Sequence, residues 1–400
     1  MDVGSSDLAF YSIFPSCVVL DNDVCRKELA SFRDDDPTSA VARASNGELV
    51  RVSFILRALP DASRLCIYID YKGLAASHDA IDYFIYQASP SGPRLSLIPR
   101  HFPTECEIET AEVGSWRRNP RTGLLTVDRG DFVVAELHLD LERLDDVDTP
   151  LEGQLFRLCY SDRYTGAGEW EVKHTRACGG KAKFCDLLCW WEAHVVVPYG
   201  SYLCWVDYSR GIIFCDVNHS SPDLQYLPLP VDHIPVGYPD PYRIGWPQAS
   251  RAVCITKGGT MKFINIARSD GMLSDESEPG SGFTITISTL LHRGYDDVWW
   301  RKDVAIEADQ LWDMEGYHNQ LPRIVPQFPL LSIDNPNIIY FVLKKNYTVD
   351  AGERAGVLWY KYVKGTSSDD TSEMTPCNIF CSLPFFPTEF SKPFLKATPR

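Results

Sequence analysis

A chain of 400 residues is too long for a single small core, which leaves two or three compact domains or one large repetitive architecture. Apolar residues make up 44% and charged residues 23%, a balance that excludes an intrinsically disordered chain. The formal charge of −15, from 39 basic and 54 acidic side chains with no basic cluster, argues against a nucleic-acid partner, because a phosphate backbone would be repelled.

Along the chain, residues 1–46 hold a short apolar run from Phe10 to Leu20 and an acidic turn at Asp34-Asp35-Asp36-Pro37, and read as a strand with a surface segment. Asp2 and Asp7 stand where a signal peptide needs basic residues, and no apolar run reaches membrane-spanning length, so no membrane partner is expected. The β region proper is expected over residues 47–385, with a tail at 386–400. Its first unit reads as Glu48 to Leu56 turning at Pro60-Asp61 into Leu65 to Ile69. Further hairpins are expected for Tyr83–Tyr86 with Leu95–Ile98, Gly123–Val127 with Phe132–Leu137, and Leu155–Tyr160 with Glu169–Val172. Strand-like runs continue through Tyr202–Asp207, Gly211–Val217, Arg251–Ile255, Met261–Ile266, Phe283–Ser288, Ile338–Leu343 and Val357–Tyr362, with a hairpin turn at Lys257-Gly258-Gly259-Thr260. Many short, evenly spaced strands without a linker-like break predict an all-β, mainly antiparallel fold: a β-propeller-like ring of about six to eight blades, with tandem β-sandwich domains as the alternative.

The most distinctive segment is Trp205-Val206-Asp207-Tyr208-Ser209-Arg210-Gly211-Ile212-Ile213-Phe214-Cys215-Asp216-Val217, followed by Leu227-Pro228-Leu229-Pro230. Trp205 and Asp207 fall on one face of a strand, and Ser209-Arg210-Gly211 turns the chain into a second strand. Asp207 is placed to accept the turn's amide hydrogens, and Trp205 to pack in the core. Cys215 and Val217 share a face opposite Asp216, which predicts burial of the second strand on one side. Trp205, Asp207, Arg210, Gly211, Asp216, Pro228 and Pro230 thus form a core motif read as structural.

This segment resembles the core motif of the plant domain-of-unknown-function family 1618, a set expanded in grasses. The likeness extends to Arg251-Ala252-Val253, Gly259–Ile264, Trp299-Trp300, Leu311-Trp312 and Asp334–Phe341. The resemblance implies no assigned activity, only a plant protein in a cytoplasmic or nuclear setting. It also implies a likeness to the propeller-like domains that follow F-box motifs, although no F-box helix set precedes the β region here.

Candidate chemistry is sparse. Cys178, Cys185 and Cys189 with His174 and His194, and Cys377 with Cys381, lack zinc-site spacing. They and the strand cysteines Cys159 and Cys204 read as buried free thiols. Gly179-Gly180-Lys181 lacks the upstream glycine and the hydroxyl of a P-loop, no G-x-S-x-G stands in a suitable context, and no metal or cofactor is expected. Asp207, Asp216, Glu307 and Asp334 are the carboxylates that a hydrolase or lyase working in a propeller channel would use. Tyr238, Tyr242 and Trp246, among Pro239, Pro241 and Pro247, suit a protein interface or, equally, packing at the blade edges. The expected function is therefore a non-catalytic interaction scaffold with a protein partner, the channel hydrolase or lyase being the alternative.

Overall fold

The computed structural model describes residues 18–21, 39–52, 64–70, 81–87, 92–99, 122–127, 131–139, 152–160, 168–177, 191–232, 247–271, 279–293, 297–314, 321–332, 335–349, 352–363, 373–377 and 385–388. The described residues are all-β and mostly antiparallel, and none of their helices is long and apolar enough to cross a membrane. The chain divides into two units, residues 1–115 with 383–400, and residues 116–382.

In the first unit, β1 (Val18–Asp21) pairs antiparallel with the strand Phe385–Thr388, so distant parts of the chain meet in one small sheet. β2 (Ala40–Arg43) and β3 (Leu49–Val52) form a hairpin, and β4 (Arg64–Asp70), β5 (Ile81–Gln87) and β6 (Arg94–Leu97) form a three-stranded meander. Ala40, Ala44, Phe84, Tyr86 and Leu95 make its core. Among the described residues the hairpin expected between Glu48–Leu56 and Leu65–Ile69 is not seen: β3 turns back on β2 through Gly47, whose φ of 87° suits glycine, and β4 pairs with β5, while residues 53–63 lie outside the described residues. The β2–β3 hairpin straddles the boundary expected at residues 46 and 47.

The second unit is built from four successive four-stranded meanders. The first comprises β7 (Thr122–Thr126), β8 (Phe132–Leu139), β9 (Glu152–Tyr160) and β10 (Glu171–Ala177). The second comprises β11 (Val195–Tyr199), β12 (Tyr202–Asp207), β13 (Gly211–Asp216) and β14 (Asp223–Pro228). The third runs through β15 (Arg251–Ile255), β16 (Met261–Arg268), β17 (Phe283–Arg293) and β18 (Asp297–Glu307), and α1 (Ala308–Trp312) follows it directly. The fourth runs through β19 (Gln327–Leu331), β20 (Ile338–Val349), β21 (Gly352–Val363) and β22 (Glu373–Cys377).

A short parallel pairing, Arg176 with Asp223 and Ala177 with Leu224, joins the first two meanders into one eight-stranded sheet. That sheet curls until its ends nearly meet. A Cβ at Gly123 on β7 would lie 2.6 Å from Val196 on β11 and 2.8 Å from Leu203 on β12, so glycine is what permits the approach.

The cores lie between successive meanders. Leu125, Val133, Ala135, Leu137 and Leu155 pack against Leu203, Trp205, Ile213, Cys215 and Leu224 inside the curled sheet. The opposite face of the second meander, with Cys204, Val206, Ile212 and Phe214, packs on Val253, Met261, Phe263 and Leu290 of the third. The third in turn covers the fourth through Ile264, Ile266, Phe283, Ile285, Leu331, Ile339 and Phe341. β13 is therefore buried on both faces from Gly211 to Cys215, not on one. Its unbroken Gly-Ile-Ile-Phe-Cys run is the composition that two-sided burial requires.

Trp205 is among the largest fully buried side chains. Trp205→Ala is expected to cost about 3–5 kcal/mol of unfolding free energy, read from urea denaturation followed by circular dichroism.

Candidate functional site

The densest polar cluster among the described buried residues surrounds the β12–β13 turn. The hairpin is tight because Asp207 pairs with Gly211 across three turn residues. The Asp207 carboxylate, 0% exposed, accepts the Ser209 amide at 2.8 Å, the Glu192 amide at 3.2 Å and Arg210 Nη1 at 3.1 Å. The Arg210 amide donates to the Asp207 carbonyl at 3.0 Å. A buried carboxylate holding two main-chain amides and a guanidinium meets the requirement that a buried charge be both paired and hydrogen-bonded.

The turn's next residues carry the network outward. The Arg210 carbonyl accepts the Tyr226 hydroxyl at 3.2 Å and the Leu229 amide at 3.1 Å, tying the turn to β14 and the segment after it. Gly211 has no room for a side chain, since a Cβ there would lie 2.5 Å from the Leu227 carbonyl and 2.5 Å from the Tyr226 ring. The Tyr208 carbonyl accepts Arg251 Nη1 at 2.5 Å, the Tyr208 hydroxyl accepts the Val253 amide at 3.3 Å, and Arg251 Nε donates to Asn265 Oδ1 at 3.0 Å. Through these bonds the second meander is fastened to the third.

His194 closes the cluster. Its Nδ1 accepts the Tyr208 amide at 3.1 Å, so that nitrogen carries no proton and the ring is neutral with its hydrogen on Nε2. Asp207 Oδ1 lies 3.6 Å away, but with an unprotonated Nδ1 the pair is not an ion pair. Burial pushes the His194 imidazole below its ordinary range, against the upward pull of Asp207 and Glu192 and with help from Arg210 and Arg251. Burial also lowers Arg251 to about 10, with Asp207 opposing, and raises the Tyr208 and Tyr226 phenols.

The remaining motif residues lie apart from the turn. Trp205 sits in the core between the first two meanders. Asp216, at the far end of the β12–β13 hairpin, accepts Ser201 Oγ at 3.3 Å and the Asn218 amide at 3.1 Å. Pro228 is exposed, and its carbonyl accepts Trp300 Nε1 at 3.0 Å; Pro230 is half-buried. Glu307 precedes α1 and accepts Thr284 Oγ1 at 2.8 Å. Asp207, Asp216 and Glu307 are thus held in separate local networks and are not brought together. Tyr238, Tyr242, Trp246, Asp334, Cys178, Cys185, Cys189, Cys381 and Gly179–Lys181 lie outside the described residues, and His174 is exposed on β10.

Among the described residues no group of three His, Cys, Asp or Glu converges as metal ligands. Cys204, Cys215 and Cys254 are buried and form no disulfide, whereas Cys159, expected to be buried, lies on the exposed side of β9. Sequence reading did not bring His194, Tyr208, Tyr226, Arg251 and Asn265 together at this turn. An available signal was Asn265 inside the apolar run Phe263-Ile264-Asn265-Ile266, where a buried polar residue needs a partner.

Fold and cluster define an all-β, mostly antiparallel protein with a nearly closed eight-stranded sheet and a buried polar turn at the β12–β13 reversal. The model of a family described as "Protein of unknown function (DUF1618)" matches residues 205–340, a span that opens at Trp205, and supports assignment to that family. No curated protein matches the chain.

Asp207→Asn leaves Arg210 buried beside a neutral amide, and is expected to cost roughly 3–5 kcal/mol in chemical denaturation. His194 sets a pH dependence of known sign. Its native value is depressed, so between that value and about 6.5 the unfolded chain binds a proton that the native chain does not. The His194 contribution is therefore complete above about pH 6.5 and is lost as pH falls through the depressed value. Urea midpoints taken between pH 7.5 and 5 should fall for the wild type and fall less for His194→Gln.

Proposed function

We propose that the chain is a non-catalytic recognition module that presents a rigid β surface to a protein partner. In this reading the four meanders are consecutive blades of a propeller-like ring of about six to eight blades, working in the cytoplasm or nucleus of a plant cell. The observation that carries the reading is Trp299, 40% exposed on the terminal strand β18 of its sheet. Tryptophan is the residue whose burial most often anchors a protein interface, and here it stands on a regular strand that holds it in place. Beside it Arg301 pairs with Asp303, giving the apolar ring a charged border. Tyr238, Tyr242 and Trp246, outside the described residues, keep their place as further anchors of the same kind.

The hydrolase or lyase reading is weakened by the separation of Asp207, Asp216 and Glu307, each engaged in its own hydrogen bonds. The test is proximity labelling in living plant cells with the wild-type chain, a Trp299→Ala variant and an unrelated propeller of similar size and charge. A reproducible protein set enriched over the control and reduced several-fold by Trp299→Ala is expected, with unfolding of that variant changed by no more than about 0.5 kcal/mol. A set indistinguishable from the control's would overturn the reading.

A further inference from the structure

The Arg210 side chain is only 3% exposed, yet it is half used. Nη1 is held by Asp207, while Nε and Nη2 are both buried and have no hydrogen-bond partner. Those two nitrogens form the side-on fork of the guanidinium, whose parallel N–H groups match the two oxygens of a carboxylate. Four other arginines of this chain show what that edge is for. The Nε/Nη2 edge engages Glu171 in Arg157, Glu152 in Arg176, Asp270 in Arg268 and Asp303 in Arg301. The side chains of those four arginines range from 9% to 66% exposed, and each has its fork met. Arg210 keeps its fork open at the most buried position of the five, where leaving it unmet is most costly.

The charges around it point the same way. Arg251, 8% exposed, bonds only to neutral oxygens, of Tyr208 and Asn265, and burial lowers its pKa to about 10. One buried carboxylate, Asp207, thus faces two buried guanidinium groups. Glu192 donates its main-chain amide to Asp207 and its carboxylate acts on His194, but no carboxylate among the described residues bonds to the Arg210 fork. Beside the turn, Tyr226 reaches the Arg210 carbonyl, and Trp191 packs edge-on against Tyr226 with ring centroids 6.3 Å apart; both rings are half-buried.

We infer that the turn is a carboxylate-binding site, in which the Nε/Nη2 fork of Arg210 takes the two oxygens of a ligand carboxylate and Trp191 and Tyr226 receive its apolar body. Asp207 is the positioning residue that fixes the guanidinium plane, and Arg251 supplies the second positive charge. The source is a free organic acid or a peptide carboxylate, which share this chemistry. The site does not depend on the recognition-module reading, since a small acid would bind whether or not a protein partner exists.

The test uses the full chain at pH 7.5 and constant ionic strength, titrated with sodium acetate, sodium benzoate, benzamide and sodium chloride, and followed both by thermal unfolding and by the ¹⁵N-resolved Nε–H resonances of the buried arginines. Benzoate, and acetate more weakly, should raise the melting temperature saturably and shift one buried Nε–H resonance, whereas benzamide and chloride should do neither. Arg210→Lys keeps the charge but loses the fork, and should weaken benzoate at least tenfold. A short peptide with a free carboxy terminus, compared with its amidated form, separates the sources: discrimination between the two, at an affinity above that of benzoate, assigns the site to a peptide. Equal effects of benzoate and benzamide, or no shift of any buried arginine resonance in the wild type, would overturn the inference even if Arg210→Lys fails to fold.

Discussion

Two-sided burial of the second meander is the constraint on which the rest of the second unit depends. β12 and β13 carry apolar side chains on both faces, so each face demands a covering sheet, and the meanders before and after it in sequence supply them. A sheet held in this way has no free face on which to leave a polar turn group, and the β12–β13 reversal falls inside. The Asp207 network follows from that placement. A reversal at the surface could satisfy its amides with water; a buried one has to bring its own acceptor, and the acceptor's charge has to be matched in turn.

The network also gives the packing its register. Apolar faces tolerate sliding and repacking, whereas the bonds from Arg251 to the Tyr208 carbonyl and from the Val253 amide to the Tyr208 hydroxyl admit one relation between β12 and β15. Arg157 does comparable work elsewhere, holding the Val217 and His219 carbonyls with one nitrogen and Glu171 with its other edge, so that β9 and the loop after β13 are fixed together.

How much of this was legible depended on distance along the chain. Asp207 with Ser209-Arg210-Gly211 could be read as an aspartate-capped turn because Ser209 and Arg210 lie within three residues of it, whereas the Glu192 amide, which also donates to Asp207, does not. The adjacent hairpins from Tyr83 to Val172 were legible for the same reason, as was the Gly258-Gly259 turn, where Gly259 takes a φ of 72°. The β2–β3 pairing was not, since Ala40–Arg43 is a weak strand signal beside the stronger run after Glu48. His194 and Arg251 join Asp207 from other strands, and nothing in their own neighbourhoods marks them. The burial of β13 was misjudged from its last residues: Asp216 is polar because the strand ends there, and Ile212 and Phe214 were better guides to its far face.

The buried thiols carry a consequence of their own. Burial holds Cys215 at about 12 and Cys204 well above the ordinary thiol value, so neither forms a thiolate while the second meander stays closed. Cys204 faces the third meander and Cys215 the first, on opposite sides of the same hairpin. Oxidants and electrophiles therefore reach them at a rate set by how often the sheets part, not by thiol chemistry. Damage to these residues is thus a clock for the parting of the sheets that cover them.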